Sequence, residues 1–285
     1  MNTASRSRAA EFDAFHTARS RTGLTARFYA AAMGDDYPAE VRPDSSCDWP
    51  LLGLIAARLR MPPGQVLVDA GCGSGGIGLW LARALAARML HGFDLSTAAV
   101  DQAAARAPHF LGASPPAAFH AADLAAPGLP DGCAHGIVCV GALHGPASWP
   151  AAVAGLGRLL APGGRLVLTR GLRHGTDLGN EYAAAAGLQT EHVDERPTEP
   201  LMWERLYRLW LAHADDLRRE LGAQPAQRML DEAAHMLPRL GGRRAVLITL
   251  HRPATGPAVH GATATMTGPD RQSGGSTQAP GRTPR

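Results

Sequence analysis

Four side chains stand where this chain could do chemistry: Asp69, Asp94, Asp123 and His144. Asp69 closes an apolar run, and Gly71, Gly73 and Gly75 follow it at alternate positions within VLVDAGCGSGGIGLWLA, which spans Val66 to Ala82. The pattern predicts a buried strand, a tight glycine turn, and a helix whose first N–H groups face a ligand. Glycine supplies positive φ in such a turn and keeps a Cβ out of the ligand's path, so a nucleotide-like cofactor is the expected occupant. Gly71, Gly73 and Gly76 also satisfy G-x-G-x-x-G, which admits a dinucleotide. Asp69 separates the readings. An acidic group at the strand end suits an ammonium, turn N–H groups suit a carboxylate, and a pyrophosphate would be repelled.

Asp94 ends the next apolar run, about 20 residues beyond the glycines, where a carboxylate can accept from both hydroxyls of a ribose. Ser96, two residues on, fits a helix N-cap. His144 follows the run Val140-Gly141-Ala142-Leu143. Its imidazole either takes a proton from a phenol, acid or amine poised for attack, or caps the turn that follows. His16, Tyr29, Tyr37 and His174 are weaker candidates.

The elements that must position these groups alternate. Apolar spacing predicts helices over 11–20, 25–33 and 49–59, then a break at Pro62-Pro63-Gly64. Strands are expected near 66–70, 89–93, 117–121, 136–140 and 165–169, with helices between them, which is the signature of a doubly wound, mostly parallel α/β sheet. A short helix near 181–186 and a strand near 189–193 come next. Met202, Leu206, Leu209, Trp210, His213 and Leu217 then continue one helical stripe, and 229–237 carries another. A last strand is expected over 245–250. The implied division is a helical cap over 1–62, a cofactor-binding core over 63–198, a helical lid over 199–240, the closing strand over 241–252 and a disordered tail over 253–285.

The run D-x-G-x-G-x-G from Asp69 and the phrase R-L-L-x-P-G-G-x-L from Arg158 to Leu166 resemble the class I S-adenosylmethionine-dependent methyltransferases. The resemblance covers about residues 62–169 well and implies a seven-stranded, Rossmann-like methyltransferase fold with S-adenosylmethionine as cofactor. It implies that Asp69, Gly71, Cys72, Gly73 and Gly75 hold the amino-acid end of the cofactor and that Asp94 holds the ribose. Asp123 is then expected to accept from the adenine amino group, or otherwise to start a turn before Pro127. Leu95 and Leu124 would sandwich the ring, and Gly141 lies where the family's fourth strand faces the transferred methyl. His144 is the candidate base. Ala134-His135 stands where the family often places an acidic residue. Arg170 replaces the acidic pair of metal-dependent catechol enzymes, so no metal is expected. Tyr29, Tyr37, Trp203 and Tyr207 are expected to line the acceptor pocket, with Phe28, Trp49 and Trp210 adding to its aromatic wall.

Composition bounds the rest. The 285 residues are 45% hydrophobic and 19% charged, and the sequence holds no lysine, so P-loop and Schiff-base chemistry are excluded. A net charge of +3 without a dense arginine stripe argues against nucleic acid. The polar N-terminus shows no secretory signal, and no apolar stretch reaches membrane-spanning length. Four cysteines at scattered spacing fit neither a zinc nor a disulfide framework, so a cytoplasmic location is expected. The arginine-only bias reads as GC-rich, actinobacterial-like coding. The expected activity is methyl transfer to a small natural-product intermediate by a monomer or homodimer. The alternatives are cofactor binding without transfer, as in a cyclase or regulatory subunit, and an NAD(P)-dependent oxidoreductase.

Overall fold

The computed structural model describes residues 3–112, 116–143, 149–173, 175–176 and 180–254. Two helices, α1 (Thr3–Ser20) and α2 (Leu24–Met33), precede α3 (Trp49–Leu59), whose N-cap Asp48 accepts from Leu51 N–H at 2.8 Å. Then strands and helices alternate: β1 (Val66–Ala70), α4 (Gly76–Ala84), β2 (Met89–Asp94), α5 (Thr97–Leu111), β3 (Ala117–Ala121), β4 (Ala134–Cys139), α6 (Trp149–Leu159) and β5 (Leu160–Arg173). The chain continues through α7 (Asn180–Ala185), β6 (Gln189–Glu195), α8 (Glu199–Ala212), α9 (Ala214–Leu221), α10 (Ala223–Met236) and β7 (Arg243–His251).

The seven strands lie in the order β3-β2-β1-β4-β5-β7-β6, with β7 antiparallel to both neighbours and the other pairs parallel. Strand periodicity explains the two packed faces. Leu67 joins Leu52, Ile55 and Leu79 on one face, whereas Val68 joins Ile137, Leu156 and Leu166 on the other. A strand covered on both faces reads as a continuous apolar run, and β1 is buried throughout, Asp69 included. A third core forms where α8, α9 and α10 pack on α1 and α2 through Phe28, Tyr29, Leu206, Tyr207 and Trp210. Among the described residues no helix is long and apolar enough to cross a membrane.

Three sequence expectations shift. β5 extends past Thr169 to Arg173 because β7 runs beside it for nine residue pairs, from Arg165↔His251 to Arg173↔Arg243. The helical stripe through Leu217 is two helices, broken at His213 (φ −113°, ψ 35°), after which Asp215 and Asp216 complement the new N-terminus. Trp49 leaves the aromatic wall altogether. It packs edge-on against Trp80 of α4, ring centroids 5.7 Å apart, and stays 38% exposed, because α3 turns Leu52 and Ile55 into the sheet core and leaves its first residue at the edge of α4. Most of the tail expected over 253–285 lies outside the described residues, which end at Ala254.

Candidate cofactor and acceptor site

The carboxyl ends of the parallel strands share one rim, which is where open α/β sheets bind ligands. Asp69 is near the end of β1 and Asp94 ends β2. Asp123 follows β3 and Gly141 follows β4. The strand ends are stitched together by Ala122 N–H, which donates to Asp94 O at 2.8 Å, and by the close approach of the segment after β4 to the glycine turn. The sequence-predicted cofactor residues therefore come together.

Their contacts refine the roles. Gly71 (φ +73°) is demanded by protein packing, since a Cβ there would lie 2.2 Å from Ala142 Cβ. At Gly73 (φ +50°) the nearest atom to an added Cβ is His16 Cε1 at 3.7 Å, so this is the glycine that keeps an open approach. Most of the turn donors expected to serve a ligand carboxylate are committed to protein. Gly71 and Cys72 N–H both donate to Phe93 O, Gly73 N–H to Asp94 Oδ2 (2.9 Å), and Gly75 N–H to Cys72 O. The reason is economy of structure: a buried N–H without a partner is costly, and a tight turn supplies its own acceptors.

Asp69 is 3% exposed and its Oδ2 accepts from Gly78 N–H at 3.0 Å, bracing strand to helix. Burial pushes its carboxyl up to about 7 against that hydrogen bond, and its charged neighbour is a second carboxylate, Asp94. Asp94 holds Gly73 N–H with one oxygen and Ser96 N–H with the other (3.0 Å), while Ser96 caps α5 through Ala99 N–H at 3.1 Å. Asp123 Oδ1 accepts from Ala125 N–H at 2.9 Å, and Ala126 N–H closes the turn onto Asp123 O. The Asx turn raised as the alternative for Asp123 is thus present. Leu95 is half-buried beside the rim, and Leu124 packs against the core beneath it. Gly141 (φ +67°) donates its N–H to Thr169 Oγ1 at 2.9 Å. His144 and His174 lie outside the described residues.

Several residues that hold the site had no local sequence signal. Asp13 of α1 accepts from Ser96 Oγ (2.7 Å) and Ala98 N–H (3.0 Å), a second cap on α5 supplied from 83 residues away. This latch seats His16 over the glycine turn, 8% exposed, with burial lowering its imidazole against the pull of Asp44 and Asp94. Arg106 of α5 donates to Ser74 O and, through its other nitrogen, to Val41 O, tying the turn to the segment before α3. The expected acceptor-wall aromatics pack on one another. Trp203 stacks on Tyr207 at 5.3 Å and meets Tyr29 edge-on at 6.4 Å, and Tyr207 hydroxyl donates to Glu232 (3.0 Å). Tyr37 is partly buried, and its hydroxyl has no hydrogen-bond partner. Arg170 lies over the Trp149 ring at 4.1 Å. A cleft of about 740 Å³ opens between α1 and the α9–α10 pair, lined by Glu11, Phe15, Arg218 and Arg228 among others, but no rim residue reaches it.

The family model described as "Methyltransferase domain" matches residues 67–164, from β1 to the Pro162-Gly163-Gly164 segment, which the structure places inside β5 rather than in the turn expected there. Those residues match a methyltransferase domain, and the seven-stranded sheet has the Rossmann-like methyltransferase fold. No curated protein sequence matches the chain. Among solved structures, the fold is similar to the [4+2]-cyclase SpnF, with 22% identity over 72% of this chain and 81% of that one and a TM-score of 0.63. A putative sarcosine dimethylglycine methyltransferase from Galdieria sulphuraria aligns at 16% identity over 80% of this chain and 97% of that one, with a TM-score of 0.64. Geranyl diphosphate C-methyltransferase from Streptomyces coelicolor A3(2) aligns at 18% identity over 78% and 85%, with a TM-score of 0.54. The rim residues fit S-adenosylmethionine. A buried Asp69 next to Asp94 is an electronegative setting that favours a cation and repels a pyrophosphate.

Proposed function

We propose that this protein transfers a methyl group from S-adenosylmethionine to a small-molecule acceptor, a natural-product intermediate, without a metal. The observation that carries the reading is the paired Asp69 and Asp94 at an open Gly73, on the same rim as Asp123 and Gly141. Bound there, the sulfonium supplies an electrophilic methyl group. The chain's own residues supply position and the exclusion of water. Asp69 offsets the ligand's positive end. Asp94, fixed by two backbone N–H groups, keeps the second lone pair of each oxygen for the ribose hydroxyls. Asp123, fixed by its Asx turn, offers Oδ2 to the adenine amino group. The latch of Asp13 on α5 sets α1 across this rim, and α8–α10 close the acceptor side with Trp203, backed by the buried Tyr207.

A second reading, binding of the cofactor with catalysis of a cyclisation, is favoured by the likeness to SpnF. Incubation with methyl-labelled S-adenosylmethionine and a panel of natural-product intermediates separates the two. Label is expected in an acceptor, recovered by mass spectrometry alongside S-adenosylhomocysteine. Cofactor that binds yet is never consumed while a substrate rearranges would overturn methyl transfer in favour of the second reading.

A further inference from the structure

The first residue of α8, Glu199, is 6% exposed and its two carboxylate oxygens are treated very differently. Oε1 accepts from Trp203 Nε1 (2.6 Å) and Ser46 Oγ (3.1 Å), and Arg243 Nη2 stands 3.8 Å away. Oε2 is buried with no partner. Two further polar atoms in the same layer share that condition, Ser45 Oγ and Arg243 Nε. Buried polar atoms are nearly always paired, and an unpaired carboxylate oxygen is among the costlier exceptions.

Two independent routes connect this layer to the methyl-transfer rim. Ser45 packs on Gly141, whose added Cβ would stand 3.2 Å from Ser45 Cβ, and Ser46 is the residue bonded to Glu199. On the other side, the Arg243 guanidinium covers Gly171, two residues beyond Thr169, which holds the Gly141 N–H. Arg196 fixes the serine loop by donating to Ser46 O at 2.7 Å and to Ser46 Oγ at 3.1 Å. Glu199 is therefore an oriented carboxylate at the edge of the acceptor side, not a surface acid folded inward by chance.

We infer that Glu199 Oε2 is the acceptor-recognition atom of this enzyme and that it selects a small molecule presenting a hydroxyl or amine next to an apolar body. A carboxylate oxygen can only accept, so its partner must be an O–H or N–H. Arg243 stands opposite Glu199, and Arg196 stands opposite Asp48. What disfavours an anion is the bare Oε2 itself, while the unpaired Arg243 Nε–H can donate to the oxygen of a hydroxyl seated there. The apolar body is met by Trp203, which is only partly buried and stacks on the core residue Tyr207 behind it. On transfer, the acceptor's lone pair forms the bond to the methyl carbon, the carbon–sulfur bond breaks with its electrons left on sulfur, and the acceptor's proton passes to Glu199. This inference rests on the methyl-transfer reading above.

The test is calorimetric titration of the full chain saturated with S-adenosylhomocysteine, using n-hexylamine, 4-propylphenol and hexanoate as probes. At least one of the first two should bind about tenfold or more tightly than hexanoate. Glu199→Gln keeps an oxygen for Ser46 and Trp203 but turns an NH₂ toward the acceptor. It should weaken the favoured probe by about ten- to a hundredfold, the worth of a hydrogen bond to a charged group, with S-adenosylhomocysteine affinity unchanged. Hexanoate binding as tightly as the other probes overturns the inference in the parent protein alone, even if the variant does not fold. So does a folded variant that retains the parent's preference. Failure of S-adenosylhomocysteine to bind the parent is a different result, and it removes the methyl-donor reading on which this one rests.

Discussion

Replacing Asp69 with asparagine isolates the cost of the buried charge. The Asp69 carboxyl is raised to about 7, chiefly by burial, with Gly78 N–H pulling the other way. In the unfolded chain an aspartate titrates near 3.9. Between those two values the native state keeps a proton that the unfolded state has released. Native stability is therefore greatest below the lower value, falls as pH climbs through the window, and levels off above the upper value. Each decade of proton activity is worth about 1.4 kcal/mol, so the penalty grows by ~3 kcal/mol between about pH 5 and about pH 8. The asparagine amide does not titrate, and its oxygen still accepts from Gly78. Urea unfolding without cofactor should show Asp69→Asn gaining on the parent by ~3 kcal/mol over that interval. An equal stability difference at both pH values would refute the reasoning, because it would mean Asp69 stays ionised throughout and its burial is compensated.

The same residue sets the pH dependence of cofactor binding. A cationic ligand favours ionised Asp69, so affinity for S-adenosylmethionine should rise as pH increases through about 7, with proton release on binding visible as a buffer-dependent heat; Asp69→Asn should abolish both, and a flat profile in the parent would count against the assignment. Asp13→Ala removes the acceptor for Ser96 Oγ and Ala98 N–H and should destabilise the fold by about 1–3 kcal/mol. Hydrogen exchange should then quicken first in α1 and the opening turn of α5; unchanged protection there would mean that α1 is held by other contacts.

The parts of the fold that could be read from sequence are those in which local pattern and global role agree. β1, α4 and the glycine turn carry period, breaker and motif in one stretch, and the strands up to β5 follow at regular intervals. The extension of β5 depends on a partner, β7, that begins 70 residues after Arg173, so no local signal marks it. The break at His213 hides because Leu209, Trp210 and Leu217 keep helical spacing across it. In the site, Asp69, Asp94 and Asp123 are placed by strand ends, which a sequence shows. Asp13, Arg106 and Glu199 act across separations of 83, 65 and 153 residues, which a sequence does not. Trp49 misled because aromatic type says nothing of which face of the sheet a helix covers.

The position of β7 also orders the protein's birth. Strands β1 to β5 can pair among themselves as the chain leaves the ribosome, and with them the cofactor rim is complete. One flank of β5 and the whole of β6 then wait for residues 243–251, because β6 has no other partner in the sheet. Until that segment arrives, β5 is an open edge with unpaired backbone groups, a template for mispairing. Losing the end of β7 would thus cost the nascent chain its acceptor side while sparing the donor side, and a donor analogue present during synthesis could guard the half that forms first.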